Sequence, residues 1–258
     1  MSNDSIKLKA IVCENVSKSF ASGEKFVSAV ENISLKVEDG EFVCIIGPSG
    51  CGKSTLLNMV AGFDTPTSGE ISLNGKIVTG PGPERGMVFQ DYGLFPWLNV
   101  RDNIEFGLKE SGMKKSARQD RGQLWIEMIG LKDFSKSFPS TLSGGMRQRV
   151  GMARALAMDP AVLLLDEPFS ALDYLTRLLW QREMENIWLK TKKTILFVTH
   201  SVEEAVMLGD RIVTMTSRPS KIKEIFAVNL ARPRDPTNME FNDLKRRVLE
   251  SVISEVKI

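Results

Sequence analysis

The stretch Gly47-Pro48-Ser49-Gly50-Cys51-Gly52-Lys53-Ser54-Thr55 decides the fold of this chain. It follows Phe42–Ile46, an apolar run rich in β-branched residues, which predicts a buried strand. It leads into a helix-forming run over residues 56–61 that ends at Gly62. The pattern G-x-x-x-x-G-K-S between a strand and a helix is a phosphate-binding loop. The sequence therefore predicts a nucleoside triphosphate site rather than a glycine-rich turn that merely connects two elements.

The residue types of this loop suit phosphate chemistry. Glycines let successive backbone N–H groups point inward, and the positive end of the helix dipole faces the same place. We expect Lys53 to reach the outer phosphates as a point charge and the Ser54 hydroxyl to ligate Mg²⁺. We also expect thiolate character at Cys51, because it lies among amides at a helix N-terminus. The predicted nucleotide contacts are Gly47, Pro48, Ser49, Gly50, Cys51, Gly52, Lys53, Ser54 and Thr55.

Composition narrows the class of protein but not its partners. The 258 residues are 42% hydrophobic and 26% charged, which suits one large domain, or one domain with an inserted lobe. A net charge of +2 neither suggests nor excludes a nucleic-acid surface. Cys13, Cys44 and Cys51 lack metal-ligand spacing, which favours a reduced compartment. Residues 1–7 lack the apolar core of a signal peptide, and no apolar run approaches the roughly 20 residues that cross a bilayer.

The order of predicted elements defines a core with an insertion. Strands are predicted over 8–12, 16–20, 30–37, 70–73 and 85–89, with a hairpin turn at Asn74-Gly75. Helical patterns over 100–108, 117–129 and 145–157 predict a helical lobe. Later strands are predicted over 161–165, 194–199 and 211–216, helices over 174–190 and from Ser201, and a last helix whose Phe241, Leu244, Val248, Val252 and Val256 share a face. We therefore predict one domain with a core of about 1–90 and 159–230, a helical subdomain of about 91–158 and a C-terminal helical extension of about 231–258.

A second nucleotide signature stands at Asp166-Glu167, after the apolar run 161–165. We expect Asp166 to hold Mg²⁺ through its water shell, and Glu167 to orient and deprotonate the attacking water. The alternative is a solvated strand end. The apolar residues before the pair, and Pro168 after it, favour the functional interpretation.

The segment Leu142-Ser143-Gly144-Gly145-Met146-Arg147-Gln148-Arg149 distinguishes among classes of phosphate-loop protein. Ser143 is placed to cap a helix, and Gly144 and Gly145 let backbone N–H groups approach an anion. The segment lies between the phosphate loop and the Asp-Glu strand, about twenty residues before the latter, and this order is specific. At this point the chain resembles the ATP-binding cassette (ABC) ATPases of membrane transporters.

The resemblance implies an α/β fold: a P-loop NTPase (RecA-like) core with an antiparallel β subdomain and an inserted α-helical subdomain. It also implies a head-to-tail homodimer with two ATP molecules at the interface. Each ATP would lie on Phe20, Lys53 and Ser54 of one subunit and under the Ser143-Gly144-Gly145 segment of the other.

The remaining functional positions of the family match residue by residue. The resemblance makes Gln90 the sensor of Mg²⁺ and the γ-phosphate, Glu167 the general base, and His200 a γ-phosphate contact. His200 is the only histidine in the chain. Asp173, at the end of the segment 170–173, would link the two sites across the interface. Phe20 stands where many members have Tyr, which keeps the stacking face, and Met146 replaces the commoner Gln.

Within the family, the chain is most similar to importers of nitrate, aliphatic sulfonates and taurine. Residues 80–90, 94–98, 172–177 and 215–219 carry this likeness. It implies a separate integral-membrane permease, a periplasmic or lipid-anchored solute-binding protein, and a peripheral position on the cytoplasmic face of the inner membrane. The apolar segment 93–98 is either core packing or an exposed patch that docks a partner. The residues just after Gln90 would pass ATP-driven motion to the permease.

Two other classes of protein compete with this interpretation. A soluble ABC ATPase acting on nucleic acid or ribosomes usually has coiled-coil insertions or two cassettes in one chain. Neither occurs here, and the charge is nearly balanced. A P-loop kinase or GTPase leaves the segment 142–149 unexplained. We therefore expect no nucleic-acid partner.

Overall fold

The computed structural model describes residues 9–23 and 25–255, which form two compact units. The first unit comprises Met1–Gly82 and Met184–Ile258, and the second comprises Pro83–Glu183. Residues 1–7, where a signal peptide was not expected, and Val256 of the predicted helix face lie outside the described residues. None of the described helices is both long enough and apolar enough to cross a membrane.

The first unit begins with an antiparallel sheet and the first strand of a parallel one. Its elements are β1 (Lys9–Ser22), β2 (Lys25–Glu38), β3 (Phe42–Ile46), α1 (Lys53–Ala61), β4 (Ser68–Leu73) and β5 (Lys76–Ile77). The antiparallel strands are ordered β2-β1-β4-β5. Asn74 and Gly75 join β4 to β5 with positive φ of 47° and 76°, which confirms the predicted hairpin turn. Every residue of β3 is buried, as predicted.

Strand β1 differs from its prediction because it is continuous. Two strands were predicted over 8–12 and 16–20, but the 14 residues of β1 form one strand with a shift in register between Cys13 and Val16. Asn15 lies within this shift at φ 50°, and its N–H donates to Ser34 Oγ at 3.1 Å. Such a bulge inserts extra residues without ending the strand. The break in apolar alternation therefore marks an irregularity in the strand rather than its end.

The second unit contains two parallel strands, three complete α-helices and the start of a fourth. Its elements are β6 (Arg85–Val88), α2 (Val100–Glu110), α3 (Lys115–Met128), 3₁₀ turns at Lys132–Phe134 and Pro139–Thr141, α4 (Gly144–Ala157), β7 (Val162–Asp166) and the start of α5 (Tyr174–Thr191). Strands β6 and β7 pair in parallel, and β7 is buried along its whole length. Each predicted helix of the lobe is present with ends shifted by at most two residues.

The chain returns to the first unit through β8 (Thr194–Thr199), α6 (Val202–Leu208), β9 (Arg211–Met215), β10 (Ile222–Ala227) and α7 (Met239–Ile253). Strand β3 pairs in parallel with both β8 and β9, so their carboxyl ends share one edge of the sheet. Ligands of open α/β sheets bind outside that edge. Phe241, Leu244 and Val248, which were predicted to share a face of the last helix, are buried in α7, and Val252 is half-buried.

Strand β10 was not predicted. It pairs antiparallel with β9 at the edge of the sheet, and only Phe226 among its six residues is buried. An edge strand with one buried side chain lacks the apolar alternation by which strands are recognised in a sequence.

Candidate nucleotide-binding site

The phosphate loop leaves β3 under tight steric constraint. A Cβ on Gly47 would lie 3.0 Å from the carbonyl oxygen of Met215. Gly52, immediately before α1, has φ 125°, and a Cβ there would lie 2.9 Å from the carbonyl oxygen of Ala29. Both the backbone angle and the available space therefore require glycine at position 52.

Lys53 lies inside the curl of this loop. Its side chain is 6% exposed, and Nζ donates to the carbonyl oxygens of Gly47 and Pro48, both at 2.9 Å. Helix α1 begins here with no side-chain cap, and its first hydrogen bond runs from Leu56 N to Gly52 O at 3.0 Å. A helix N-terminus of this kind, with an ammonium group in the preceding loop, is suited to bind an anion.

The expectation of thiolate character at Cys51 is wrong. Cys51 is 2% exposed, and this burial raises the pKa of its thiol more than the nearby Lys53 ammonium lowers it. At this position, the free-energy cost of removing the thiolate from water exceeds the stabilisation that the thiolate gains from the neighbouring ammonium group. Cys51 is therefore a packed residue of the loop.

His200 follows β8 beside the phosphate loop. Ile46, the last residue before the loop, pairs with Thr199, the last residue before His200. The sheet register thus places Gly47 and His200 just beyond the ends of neighbouring parallel strands. His200 is exposed there.

Phe20 lies on the antiparallel sheet of the same unit. It pairs with Val27 of β2 and is 43% exposed, with Lys18 Nζ 5.1 Å from its ring centroid. The ring is therefore not a core residue. An exposed aromatic face of this kind can stack on a nucleotide base.

In the second unit, Asp166 and Glu167 end β7 as the sequence predicts. Asp166 is 7% exposed. Glu167 has φ 46°, an unusual angle for a residue with a side chain, and its Oε2 lies 3.5 Å from Gln90 Nε2. The structure thus brings together two of the predicted site residues, Gln90 and Glu167.

The segment 142–149 forms the start of α4. Ser143 is the N-cap and accepts a hydrogen bond from Met146 N at 3.2 Å, which confirms the predicted cap. Gly144 and Gly145 are half-buried, and their absent side chains leave room for Tyr92 and Leu172. Asp173 begins α5 in the same way, since its Oδ1 accepts from Thr176 N at 3.0 Å.

Most of the chain is similar to members of a known protein family. A sequence model described as ABC transporter matches residues 30–170. An uncharacterized ABC transporter ATP-binding protein of Methanocaldococcus jannaschii is 49% identical over 253 residues, which cover 98% of this chain and 94% of that protein. This chain belongs to the ABC transporter family.

Other members of the ABC family are similar over most of their length. A nitrate import ATP-binding protein of a Synechocystis strain is 48% identical over 85% of this chain and 83% of its own. An aliphatic sulfonates import ATP-binding protein of Bacillus cereus is 46% identical over 92% of this chain and 93% of its own. The structure of the ATP-binding cassette MJ0796, a dimer in a post-hydrolysis state bound to ADP and Pi, has a TM-score of 0.79 and 32% identity over 86% of this chain and all of that one. These likenesses confirm the predicted family and the predicted cassette fold.

Sequence reasoning missed one residue of this ABC site. The buried side chain of Gln148 donates from Nε2 to the carbonyl oxygen of Glu167 at 3.3 Å. Its Oε1 has no hydrogen-bond partner among the described residues. Gln148 belongs to the segment that identified the family, but nothing in the sequence indicated that it would reach a strand end 19 residues later.

The donor set predicted for Mg²⁺ fits that ion. Ser54 of the first unit carries a hydroxyl, and Gln90 and Asp166 of the second unit carry an amide and a carboxylate oxygen. These are the hard ligand types that Mg²⁺ takes in small numbers beside phosphate oxygens and water. Within residues 9–23 and 25–255, no group of three or more His, Cys, Asp or Glu forms a metal cage. A site that borrows most of its ligands from a nucleotide needs no such cage.

Proposed function

We propose that this chain is the ATP-hydrolysing subunit of an importer for a small anionic solute of the nitrate, sulfonate or taurine kind. It acts as a homodimer on the cytoplasmic face of the inner membrane. It drives a separate integral-membrane permease that receives its cargo from a periplasmic or lipid-anchored binding protein. The importer names of the Synechocystis and Bacillus cereus relatives support the transport assignment. The dimeric MJ0796 structure supports the homodimer.

The observation that carries the ATPase assignment is the enclosure of Lys53 by the phosphate loop. Nζ lies between two loop carbonyl oxygens at 2.9 Å, at the start of a helix with no side-chain cap. Phosphates on this loop receive the Lys53 charge, the backbone amides and the positive end of α1 together. The exposed ring of Phe20 stacks on the adenine.

Hydrolysis then depends on Glu167 as the general base. Its carboxylate takes the proton of the attacking water, and Gln90, at 3.5 Å, orients both. Gln148 Nε2 donates to the Glu167 carbonyl oxygen and so helps to orient the backbone that carries this carboxylate. Ser54, Gln90 and Asp166 would hold Mg²⁺, which would supply positive charge to the phosphates. His200 contacts the γ-phosphate.

The second copy completes each site. Ser143, Gly144 and Gly145 of the partner cover the phosphates at the start of α4, where the capping residue Ser143 is exposed. Asp173, also exposed, links the two sites across the dimer. Exposure of Ser143 and Asp173 supports the proposal, because a residue that binds across an interface must be accessible in the separate subunit.

The permease contact is assigned to the segment 93–98. Buried Asn103 fixes this loop, since its side chain accepts from Phe95 N at 2.9 Å and donates to the carbonyl oxygens of Phe95 and Leu98 at 3.1 and 2.9 Å. Trp97 nevertheless remains 70% exposed. It borders a cavity of about 300 Å³ lined by Trp97, Leu98, Asp102, Glu105, Phe106, Lys109 and Arg118. A rigid loop that presents a tryptophan beside a cavity is typical of a protein contact.

The test is affinity purification of tagged Glu167→Gln from detergent-solubilised membranes with MgATP. We expect ATP turnover to fall about 10²- to 10⁴-fold, because the general base is lost. We expect nucleotide binding to persist and a multi-span protein to co-purify in stoichiometric amount. Trp97→Asp is the matched variant, expected to release that protein while the isolated ATPase keeps its turnover.

Three results would contradict the proposal. Hydrolysis at the wild-type rate by Glu167→Gln would show that Glu167 is not the general base. A soluble dimer without a membrane protein would remove the transport assignment, and co-purified nucleic acid would favour the alternative class. Uptake of labelled nitrate, alkanesulfonate and taurine by cells with and without the gene then tests the solute class.

A further inference from the structure

Helix α6 begins directly after His200, and its first turn is tied across that residue. Thr199 Oγ1 accepts from Ser201 N at 3.0 Å and donates to Glu204 Oε2 at 2.5 Å. Ser201 Oγ accepts from Glu204 N at 3.3 Å. Thr199 and Glu204 are 1% and 5% exposed. The backbone on both sides of His200 is therefore fixed to the start of α6.

The other end of α6 is held by an arginine from the C-terminal extension. Arg234 Nη1 donates to the carbonyl oxygens of Val206, Met207 and Gly209 at 2.8, 3.0 and 2.8 Å. The last carbonyl groups of a helix lack partners within the helix and carry its negative end. A guanidinium that is 8% exposed supplies both the donors and the opposite charge.

A second arginine ties the same end to the sheet. Arg232 donates to Leu208 O at 2.6 Å and to Asp210 Oδ1 at 2.9 Å. The other oxygen of Asp210 accepts from Phe42 N at 3.0 Å, at the start of the strand that leads to the phosphate loop. Arg232 also pairs with Glu185 at 2.8 Å and stacks over the Trp188 ring, with its Cζ 4.5 Å from the centroid.

Helix α7 holds the side of α6. Lys245 forms an ion pair with Glu203 of α6. Thr214 of β9 hydrogen-bonds to Ser251 of α7 at 3.0 Å, so α7 is itself tied to the sheet. The C-terminal extension thus contacts α6 along its side and at its carboxyl end.

These contacts indicate that the C-terminal extension controls the position of His200. A helix of seven residues does not hold itself together in water, so tertiary contacts decide where α6 lies. We propose that Arg234 is a positioning residue for His200: it holds the carboxyl end of α6 and so keeps the turn at its amino end in place beside the phosphate loop. The inference rests on the proposed contact of His200 with the γ-phosphate.

The test compares turnover with ATP affinity in Arg234→Gln. Displacement of a catalytic contact by about an ångström lowers the reaction rate strongly, so we expect kcat to fall about 10-fold. KM for ATP should change less than about 2-fold, because the phosphate loop is untouched. Arg234→Lys, which keeps a charged donor, should restore most of the rate. Arg246→Gln is the matched control, since Arg246 is 68% exposed on α7 and, among the described residues, forms an ion pair only with Asp243 of its own helix.

A double-mutant cycle with His200→Ala separates positioning from general stability. If Arg234 acts through His200, adding Arg234→Gln to His200→Ala leaves the residual rate unchanged. An equal fall in both backgrounds would overturn the inference while leaving the function of His200 intact. Wild-type turnover by His200→Ala would instead overturn the assignment of His200, and the inference with it.

A milder variant covers the case in which Arg234→Gln does not fold. Lys245→Gln removes the ion pair between Lys245 and Glu203. The side chains of these two residues are 36% and 37% exposed. We expect a fall of about 2-fold in kcat that likewise disappears in the His200→Ala background. A fall that persists in that background would contradict the inference.

Discussion

Helices α1 and α4 both begin beside glycines, but they begin in opposite ways. Gly52 precedes α1 at φ 125°, and no side chain caps the helix. Ser143 precedes α4, and its hydroxyl accepts from Met146 N at 3.2 Å. Helices α2, α6 and α7 resemble α4, with Asn99, Ser201 and Asn238 as their side-chain caps.

The difference shows how each helix start is suited to its own task. Side-chain capping satisfies an N–H group that the helix itself leaves without a partner, and stabilises the helix by roughly 1 kcal/mol. The start of α1 omits that contribution and surrounds Lys53 with loop carbonyl groups instead. A helix start of this kind, with an ammonium group beside it, is suited to bind an anion. The start of α4 is complete by itself and presents an exposed serine, which suits a surface met by a second subunit.

Gly52→Ala is expected to have the largest effect on this comparison. An L-residue at φ 125° is strained, and its Cβ would lie 2.9 Å from Ala29 O and 3.1 Å from a methyl group of Val30. We expect destabilisation of about 3 kcal/mol and loss of measurable ATP binding, because the loop must move. Thermal unfolding and titration with a fluorescent ATP analogue measure the two effects.

Gly50→Ala is the matched control for that variant. Gly50 has φ 70°, but a Cβ there would have no atom of the described residues within 4 Å. The cost is then the backbone strain alone, about 1–2 kcal/mol. Equal destabilisation by the two substitutions would show that close packing of Gly52 does not shape the loop.

The core strands were predictable because each is marked by an apolar run within its own residues. The buried strands Phe42–Ile46 and Thr194–Thr199 are continuous apolar runs, and the structure places them at the predicted residues. The bulge at Asn15 was not predictable, since whether an interrupted run continues as one strand depends on partners in β2. Strand β10 exists because β9 offers an edge, and that edge is not visible in its own six residues.

The candidate site divides in the same way. The phosphate loop, Asp166 and Glu167 are read from contiguous residues, and the α4 cap from its own segment. The partners of these groups lie farther away in the chain: Gln148 reaches Glu167 across 19 residues, and Arg234 reaches Val206 across 28. The burial of Cys51 was likewise not visible, because Gly47 and its neighbours enclose the thiol only after folding.

Ser143→Ala tests the other half of the comparison. Loss of the cap is expected to cost about 1 kcal/mol, or roughly 2–4 °C in Tm. Asn99→Ala removes a similar cap from α2, where Asn99 Oδ1 accepts from Asp102 N at 2.8 Å, and should cost about the same. Only Ser143→Ala should also lower ATP turnover. Equal turnover in the two variants would reduce Ser143 to a helix cap.

Alkylation of Cys51 tests whether burial or the helix N-terminus controls the reactivity of this thiol. Burial raises the pKa of the Cys51 thiol, so we expect N-ethylmaleimide at pH 7.5 to label it at least ~10-fold more slowly than glutathione. Burial also raises the pKa of Cys13 to about 12 and that of Cys44 well above its ordinary value, so neither should react faster. Peptide mapping by mass spectrometry resolves the three sites. Labelling of Cys51 as fast as glutathione would mean that the loop opens.

Asp173 gives the smallest expected effect, because it is a charged cap on an exposed helix start. Hydrogen bonds from the side chain and backbone of Thr176 lower the pKa of its carboxyl below the ordinary 3.8. The stabilisation is therefore present above about pH 4 and is lost as the pH falls through the lowered pKa. Asp173→Asn keeps an acceptor for Thr176 N but does not titrate. Between pH 5 and pH 3 we expect the Tm of the wild type to fall by about 1 °C more than that of Asp173→Asn. Parallel curves would show that the charge of this cap contributes nothing to α5, and that a neutral cap such as Ser143 is equivalent to it.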